Sequence, residues 1–219
     1  NRRLSSFKIL QVILNLTMEI NKKHKVLVTG FGPFNIHVVN ASWEAAKELS
    51  KLCINSKELM DVEVIIKEIP VSYEDVTKYV PKLWQEYKPI VVLHLGVSRQ
   101  AQCLTIECRA HSNGYFRNDI YDKCPDESNI ESEIFETKMN AKQICNIINE
   151  TSDKTKCNAC ISYNAGRYLC EYILYRSLQI SPKKTLFVHV PDFNRYSSVQ
   201  TAKGLYEILC YIIEDMKKQ

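Results

Sequence analysis

Lys25-Val-Leu-Val-Thr-Gly30 and Ile90-Val-Val-Leu-His-Leu-Gly96 decide the fold. Both are short apolar runs that end in glycine and lack polar alternation. Such runs read as strands buried on both faces, without a wet side. Between them, Trp43, Ala46, Leu49 and Leu52 recur near helical spacing, which predicts a helix over 40–53. Residues 62–69 predict another strand, closed by Pro70. Ser72 is placed to cap the next helix, with Glu74 and Asp75 in its first turn, and Pro81 predicts a kink or break within it.

Further along, 104–108 reads as a strand, and 110–136 as a polar, irregular stretch with turn signals at Ser112-Asn113-Gly114 and Cys124-Pro125-Asp126. A helix over 137–150, a strand over 159–163, a helix over 168–178, a strand over 185–190 and a helix over 197–217 follow. No repeat or low-complexity tract interrupts them. Strands alternating with helices predict a mostly parallel sheet covered on both faces. Ligands of such sheets bind beyond the carboxyl ends of the strands. That rule brings together residues far apart in sequence.

The 219 residues suit one medium α/β domain with a full core. A formal charge of +4, spread among nearly as many acids, gives no nucleic-acid groove. No apolar run approaches the roughly 20 residues needed to span a bilayer, so a membrane role is not expected. The nine cysteines are odd in number, and Cys53, Cys145 and Cys210 sit in apolar segments, which favours free thiols in a reducing, cytoplasmic setting over a disulfide framework. Cys157 and Cys160 have CxxC spacing, but without a second CxxC they read as structural. At the start, Lys8, Gln11 and Asn15 interrupt the apolar run from Phe7 to Leu16, and no A-x-A site follows, unlike a signal peptide. Residues 1–17 therefore read as an extension, Met18 as the functional start, and 18–219 as a single domain.

The strand exits carry the chemistry. Gly30-Phe31-Gly32-Pro33-Phe34 puts two aromatics on a loop of glycine and proline, which suits a pocket wall. Asn164-Ala-Gly-Arg-Tyr-Leu-Cys170 leads into a helix whose first turns hold Cys170, and a helix N-terminus favours the thiolate. Leu186-Phe-Val-His189-Val-Pro191 ends another strand with an imidazole. Cysteine beside imidazole is the minimal kit for acyl transfer, and a third polar group normally orients the ring. Glu107, in the otherwise uncharged run Leu104-Thr-Ile-Glu107-Cys, suits that part, since a buried carboxylate needs a partner. From the residues alone, Glu107 can equally pair with Arg109, and His94 and His111 rival His189 as the base.

These segments resemble the pyroglutamyl peptidase type I family of cysteine omega-peptidases. Val28 to Phe34 with Val39-Asn-Ala-Ser-Trp43, Glu68-Ile-Pro-Val71, His94-Leu-Gly-Val-Ser98, Leu104-Thr-Ile-Glu107 with His111-Ser-Asn-Gly-Tyr115, Ala165 to Cys170 and Phe187 to Pro191 match its motifs in order, closer to the animal than the bacterial forms. The resemblance runs from Lys25 to the last helix.

It implies a three-layer α/β/α sandwich with a twisted mixed, mostly parallel sheet. It also implies Cys170 as nucleophile, His189 as general base and acid, and Glu107 orienting the imidazole. Phe31, Phe34, Tyr168 and Leu169 match its pocket positions, and Asn40 helps place the ring. The implied substrates are peptides with an N-terminal pyroglutamate, cleaved without metal or organic cofactor. A monomer is implied, with a homo-oligomer the alternative. Two departures stand out: Val97 replaces the glutamine of bacterial members, and 124–136 looks shortened where a loop would cover the site. Cys103 and Cys108, flanking Glu107, suggest sensitivity to oxidation.

Overall fold

The computed structural model describes residues 23–34, 38–128 and 130–218. The extension expected over 1–17 lies outside them. The elements run β1 (His24–Phe31), α1 (Ala41–Ile54), β2 (Val62–Ile69), α2 (Tyr73–Tyr87), β3 (Val91–Val97), β4 (Leu104–Glu107), β5 (Arg109–His111), β6 (Ile134–Glu136), α3 (Ala141–Glu150), α4 (Ser152–Thr155), β7 (Ala159–Ser162), α5 (Leu169–Leu178), β8 (Thr185–Val190) and α6 (Ser198–Lys218). Six strands form one sheet in the order β2-β1-β3-β8-β4-β7, and β5 and β6 pair as a separate ribbon.

Side-chain alternation divides the core into two layers. Val26, Val28, Leu93, Leu95, Leu186 and Val188 face α1, α3 and α6. Leu27, Val92 and Phe187 face α2 and α5, where Val76, Val80, Leu83, Ile173 and Leu174 meet them. Strands flanked this way have no wet face, which is why their sequences are continuous apolar runs. Each such side chain contributes about 1.5–3 kcal/mol by leaving water.

The sheet is mixed, and its two reversed strands shape the site. β1, β2, β3 and β8 run parallel, β4 pairs antiparallel with β8, and β7 follows β4. The exit of β7 therefore does not point to the carboxyl edge of the parallel strands, as simple alternation suggests. The chain returns through 163–168 before α5 starts beside β3 and β8.

Other differences are local. α2 runs unbroken through Pro81, because Val76, Val80 and Leu83 on either side bury into one core and outweigh a cost of about 3 kcal/mol. The buried line of α1 is Ala41, Ala45, Leu49 and Cys53, spaced by four, which leaves Leu52 38% exposed. The stretch read as irregular contains the β5–β6 ribbon, where Arg109 faces Glu136 and pairs with it at 2.8 Å. Arg109 is thus not the partner of Glu107.

His94 is a core residue. It is 1% exposed, its Nδ1 shares a 2.7 Å hydrogen bond with the Thr29 hydroxyl, and its Nε2 shares another of 2.7 Å with Ser177 Oγ. Trp84 Nε1 also donates to Ser177 Oγ at 3.0 Å. Burial pushes the imidazole down to about 3, so it is neutral at pH 7. A neutral ring bridging two hydroxyls ties β1 and β3 to α5. His94→Ala leaves a void and strips both hydroxyls of this partner, so we expect a stability loss of about 2–4 kcal/mol. Urea unfolding measures it, and a loss below 1 kcal/mol would show that the bridge is not structural.

Candidate active site

Asn40 caps α1 by accepting the Ser42 backbone N–H at 3.1 Å and the Ser42 hydroxyl at 2.8 Å, while its Nδ2 donates to Gly32 O at 2.9 Å. Ser42 Oγ in turn accepts the Phe31 N–H at 3.0 Å. One amide thus clips the loop after β1 to the start of α1, and the loop projects Phe31 and Phe34 into a cavity of about 750 Å³. Glu107, Tyr168, Leu169, Cys170 and His189 line the same cavity, as does Asn40 itself. All eight residues singled out in the sequence meet there.

The reversed direction of β4 delivers the carboxylate. Thr105 stands opposite His189 and Glu107 opposite Phe187, so Glu107 shares a sheet face with His189, one diagonal away. Glu107 Oε1 lies 2.7 Å from His189 Nδ1. Both residues are buried, and Glu107 Oε2 has no protein donor among the described residues. The other side of His189 hydrogen-bonds Cys170. Burial alone would push this imidazole down. The negative charge and hydrogen bond of Cys170, then the hydrogen bond and charge of Glu107, overcome it and raise His189 to about 10. The ring of Phe187 meets the imidazole edge-on, with centroids 4.9 Å apart, and limits its rotation.

Cys170 is seated by a feature the sequence reading passed over. Glu171 is buried at the first turn of α5, and its Oε2 accepts the Arg167 N–H at 2.9 Å. Its Oε1 accepts the His111 N–H at 3.0 Å and contacts the Arg167 guanidinium and His111 Nδ1. Arg167 has φ 49° and Gly166 φ 96°, a left-handed turn that costs energy for a residue with a Cβ. The carboxylate holds that turn like a capping box shifted by one residue. The detectable signal was an acid on the buried side of Leu169-Cys-Glu-Tyr-Ile-Leu. His111 belongs to this brace and not to the Cys170 line.

The cavity's outer wall brings further residues. Tyr168 donates to Asn118 O at 3.1 Å, the Arg117 guanidinium stacks 4.2 Å from its ring centroid, and Tyr73 meets it edge-on. Arg99 and Arg117 line the cavity as well, so its wall carries two cations beside the aromatics. Residues 124–128 and 130–136 contribute no lining. Glu127 instead accepts the backbone N–H groups of Gly114 and Tyr115, at 2.8 and 2.9 Å, and fastens that segment beside the cavity. Among the described residues no group of three or more His, Cys, Asp or Glu could hold a metal ion, and no helix is long and apolar enough to cross a membrane.

A cysteine, an imidazole and a carboxylate gathered in one cavity of an α/β/α sandwich define a cysteine-type hydrolase. The chain belongs to the pyroglutamyl peptidase family, whose model matches residues 24–211. Pyroglutamyl-peptidase 1 of Homo sapiens is 37% identical over 188 residues, covering 84% of this chain and 87% of its own length. A pyrrolidone-carboxylate peptidase of Pyrococcus furiosus is 30% identical over 206 residues, covering 87% and 92%. The solved structure of pyrrolidone carboxyl peptidase from Thermococcus litoralis superposes with a TM-score of 0.74 at 21% identity, covering 89% of this chain and 96% of its own, a likeness of fold.

Gly96 is the tightest point of the site. It pairs with His189 across β3 and β8, and a Cβ there would lie 2.6 Å from Cys170 Sγ and 2.7 Å from Phe187 Cζ. Gly96→Ala must therefore displace the Cys170 sulfur, the Phe187 ring against His189, or the strand itself. We expect turnover to fall on the order of 100-fold or more while the fold persists. Steady-state kinetics beside circular dichroism would test this, and near-normal turnover would mean that the sulfur position is not critical.

Proposed function

We propose that this chain hydrolyses the amide bond after an N-terminal pyroglutamyl residue of peptides, with Cys170 as nucleophile, His189 as general base and acid, and Glu107 orienting His189. The observation that carries this reading is the continuous contact line Cys170–His189–Glu107 opening into a cavity walled by Phe31, Phe34, Tyr168 and Leu169. The thiolate attacks the pyroglutamyl carbonyl, and the oxyanion faces the N-terminus of α5, which no side chain caps. His189 then protonates the leaving amine, and a thioester remains on Cys170. Water, deprotonated by His189, hydrolyses it and frees pyroglutamate.

The walls suit the substrate. A pyroglutamyl group is a flat, uncharged lactam, and apolar faces can grip it. Asn40 acts on the ring indirectly, through the loop it clips, because its amide is engaged with Gly32 and Ser42. Arg99 and Arg117 at the same cavity repel an ordinary N-terminal ammonium and leave a neutral lactam unaffected. That argues against an aminopeptidase of ordinary amino termini. All eight of these residues lie on this chain, and a monomer is the unit proposed, with a homo-oligomer the alternative. Nine free cysteines suit a reducing, cytoplasmic setting.

The test compares pyroglutamyl, prolyl and glutamyl amides of a fluorescent amine in reducing buffer. We expect turnover of the first alone, abolished by Cys170→Ala and nearly so by His189→Ala; wild-type rates in Cys170→Ala would sink the nucleophile assignment.

Glu107→Gln should cost less in turnover but alter the pH profile. Glu107 is one cause of the raised His189 titration, so its neutralisation lets the imidazole lose its proton at lower pH. The alkaline limb of kcat/KM then moves toward acid. An unmoved limb would show that Glu107 does not act through His189.

A further inference from the structure

The face of the sheet that carries His189 and Glu107 continues past them to a pair of thiols. Thr105 on β4 stands opposite His189 on one side and opposite Cys160 of β7 on the other. Cys103, two residues before Thr105, shares that side by strand alternation. Its thiol donates to Cys160 Sγ at 3.2 Å. Thr105 Oγ1 lies 3.5 Å from Cys160 Sγ and donates to Cys103 O at 3.3 Å. Cys160 is exposed and Cys103 half-buried, whereas Cys53, Cys108 and Cys157 are buried. The CxxC spacing of Cys157 and Cys160 does not pair them: Cys157 donates to Gln200 O at 3.2 Å. Nor does Cys108 join Cys103, since its thiol contacts Ile106 O.

We propose that Cys103 and Cys160 form a redox-active dithiol, oxidised by hydrogen peroxide to an intrachain disulfide at the margin of the substrate cavity. The exposed Cys160 is attacked first. Its thiolate takes one peroxide oxygen to become a sulfenic acid, and hydroxide leaves. The sulfur of Cys103 then displaces the sulfenic hydroxyl, its proton leaves with that group as water, and the S–S bond forms. Two thiols and one peroxide give one disulfide and two waters. Burial, followed by the hydrogen bond to Cys160, pushes Cys103 up to about 12, so Cys103 stays a thiol and is not the sulfur that peroxide oxidises first.

The cross-link acts on the cavity through its wall. Ser98, Arg99, Gln100 and Ala101 line the cavity just before Cys103, and Thr105 lines it just after. Binding Cys103 to β7 ties this wall to the edge strand. The disulfide itself stands apart from the catalytic reading; only its effect on substrate rests on that reading.

Reduced full-length protein is treated with one equivalent of hydrogen peroxide, denatured, alkylated with iodoacetamide and digested. We expect a peptide joining Cys103 to Cys160, lighter by two hydrogens than its parts, which dithiothreitol reverses and which Cys160→Ser lacks. Alkylation of both residues after treatment, or a link from Cys160 to Cys145 instead, overturns the site. A second readout is KM for the pyroglutamyl amide, which is insensitive to the fraction of enzyme lost by oxidation at Cys170. We expect at least a twofold change on cross-linking that Cys103→Ser does not show. An unchanged KM in cross-linked protein overturns the coupling to the cavity, and a changed KM without the linked peptide overturns the disulfide as its cause.

Discussion

A carboxylate taken out of water needs a positive or donating partner, and Glu107 has one. Its Oε1 meets His189 at 2.7 Å and its Oε2 meets no protein donor among the described residues. Much of the architecture serves that contact. The antiparallel pairing of β4 with β8 sets Glu107 diagonal to His189, and β7 lies beyond β4 so that β4 is not an edge strand. Had β4 run parallel, the diagonal would differ and the carboxylate would meet another neighbour.

The remaining side of the imidazole is governed by space. Gly96 gives the Cys170 sulfur room beside the strand, and α5 brings the sulfur there through a left-handed turn at Gly166 and Arg167. Left alone, that turn would relax. Glu171 holds it by accepting the Arg167 N–H and the Arg167 side chain, and it carries His111 as a second anchor. Two buried carboxylates, 64 residues apart in sequence, therefore do different work: Glu107 hydrogen-bonds the imidazole, and Glu171 fixes the turn that leads to the thiol.

How much of this was legible followed from the range of each interaction. Burial on both faces of a strand is written locally, so β1, β3 and β8 stood out as apolar runs. Helix caps are equally local, and Ser72 was readable; its hydroxyl accepts the Asp75 N–H at 3.3 Å. Strand direction is not local. Nothing within Leu104-Thr-Ile-Glu107 or Ala159-Cys-Ile-Ser162 says that these two strands run against the other four, and motif resemblance supplied the mixed sheet. The β5–β6 ribbon escaped for a related reason: three-residue strands with 22 residues between His111 and Ile134, the pair that closes them, carry too few side chains to show a period. Residue types left His94, His111 and His189 as rivals, and the family resemblance pointed to His189; the structure places His189 beside Glu107 and gives the other two imidazoles different partners. His94 is spent on Thr29 and Ser177, and His111 on Glu171.

The same pairing bears on stability. Sites arranged for reaction often weaken a fold, because they hold like charges or strained turns. Here the His189 titration is raised from 6.5 to about 10 against the opposing pull of burial. A group bound more tightly to its proton in the folded chain contributes stability that is fully present below its unfolded value. That contribution fades as pH rises from about 6.5 and is lost through about 10. Its origin is the pair of partners, Cys170 and Glu107, that the proposed chemistry requires. The left-handed turn costs stability, while the charged line at its end restores some of it, and the two lie within one hydrogen-bonded stretch around α5. In the neutral range, then, the contacts that prepare the site for attack also help hold the central strands β8 and β4 to the start of α5.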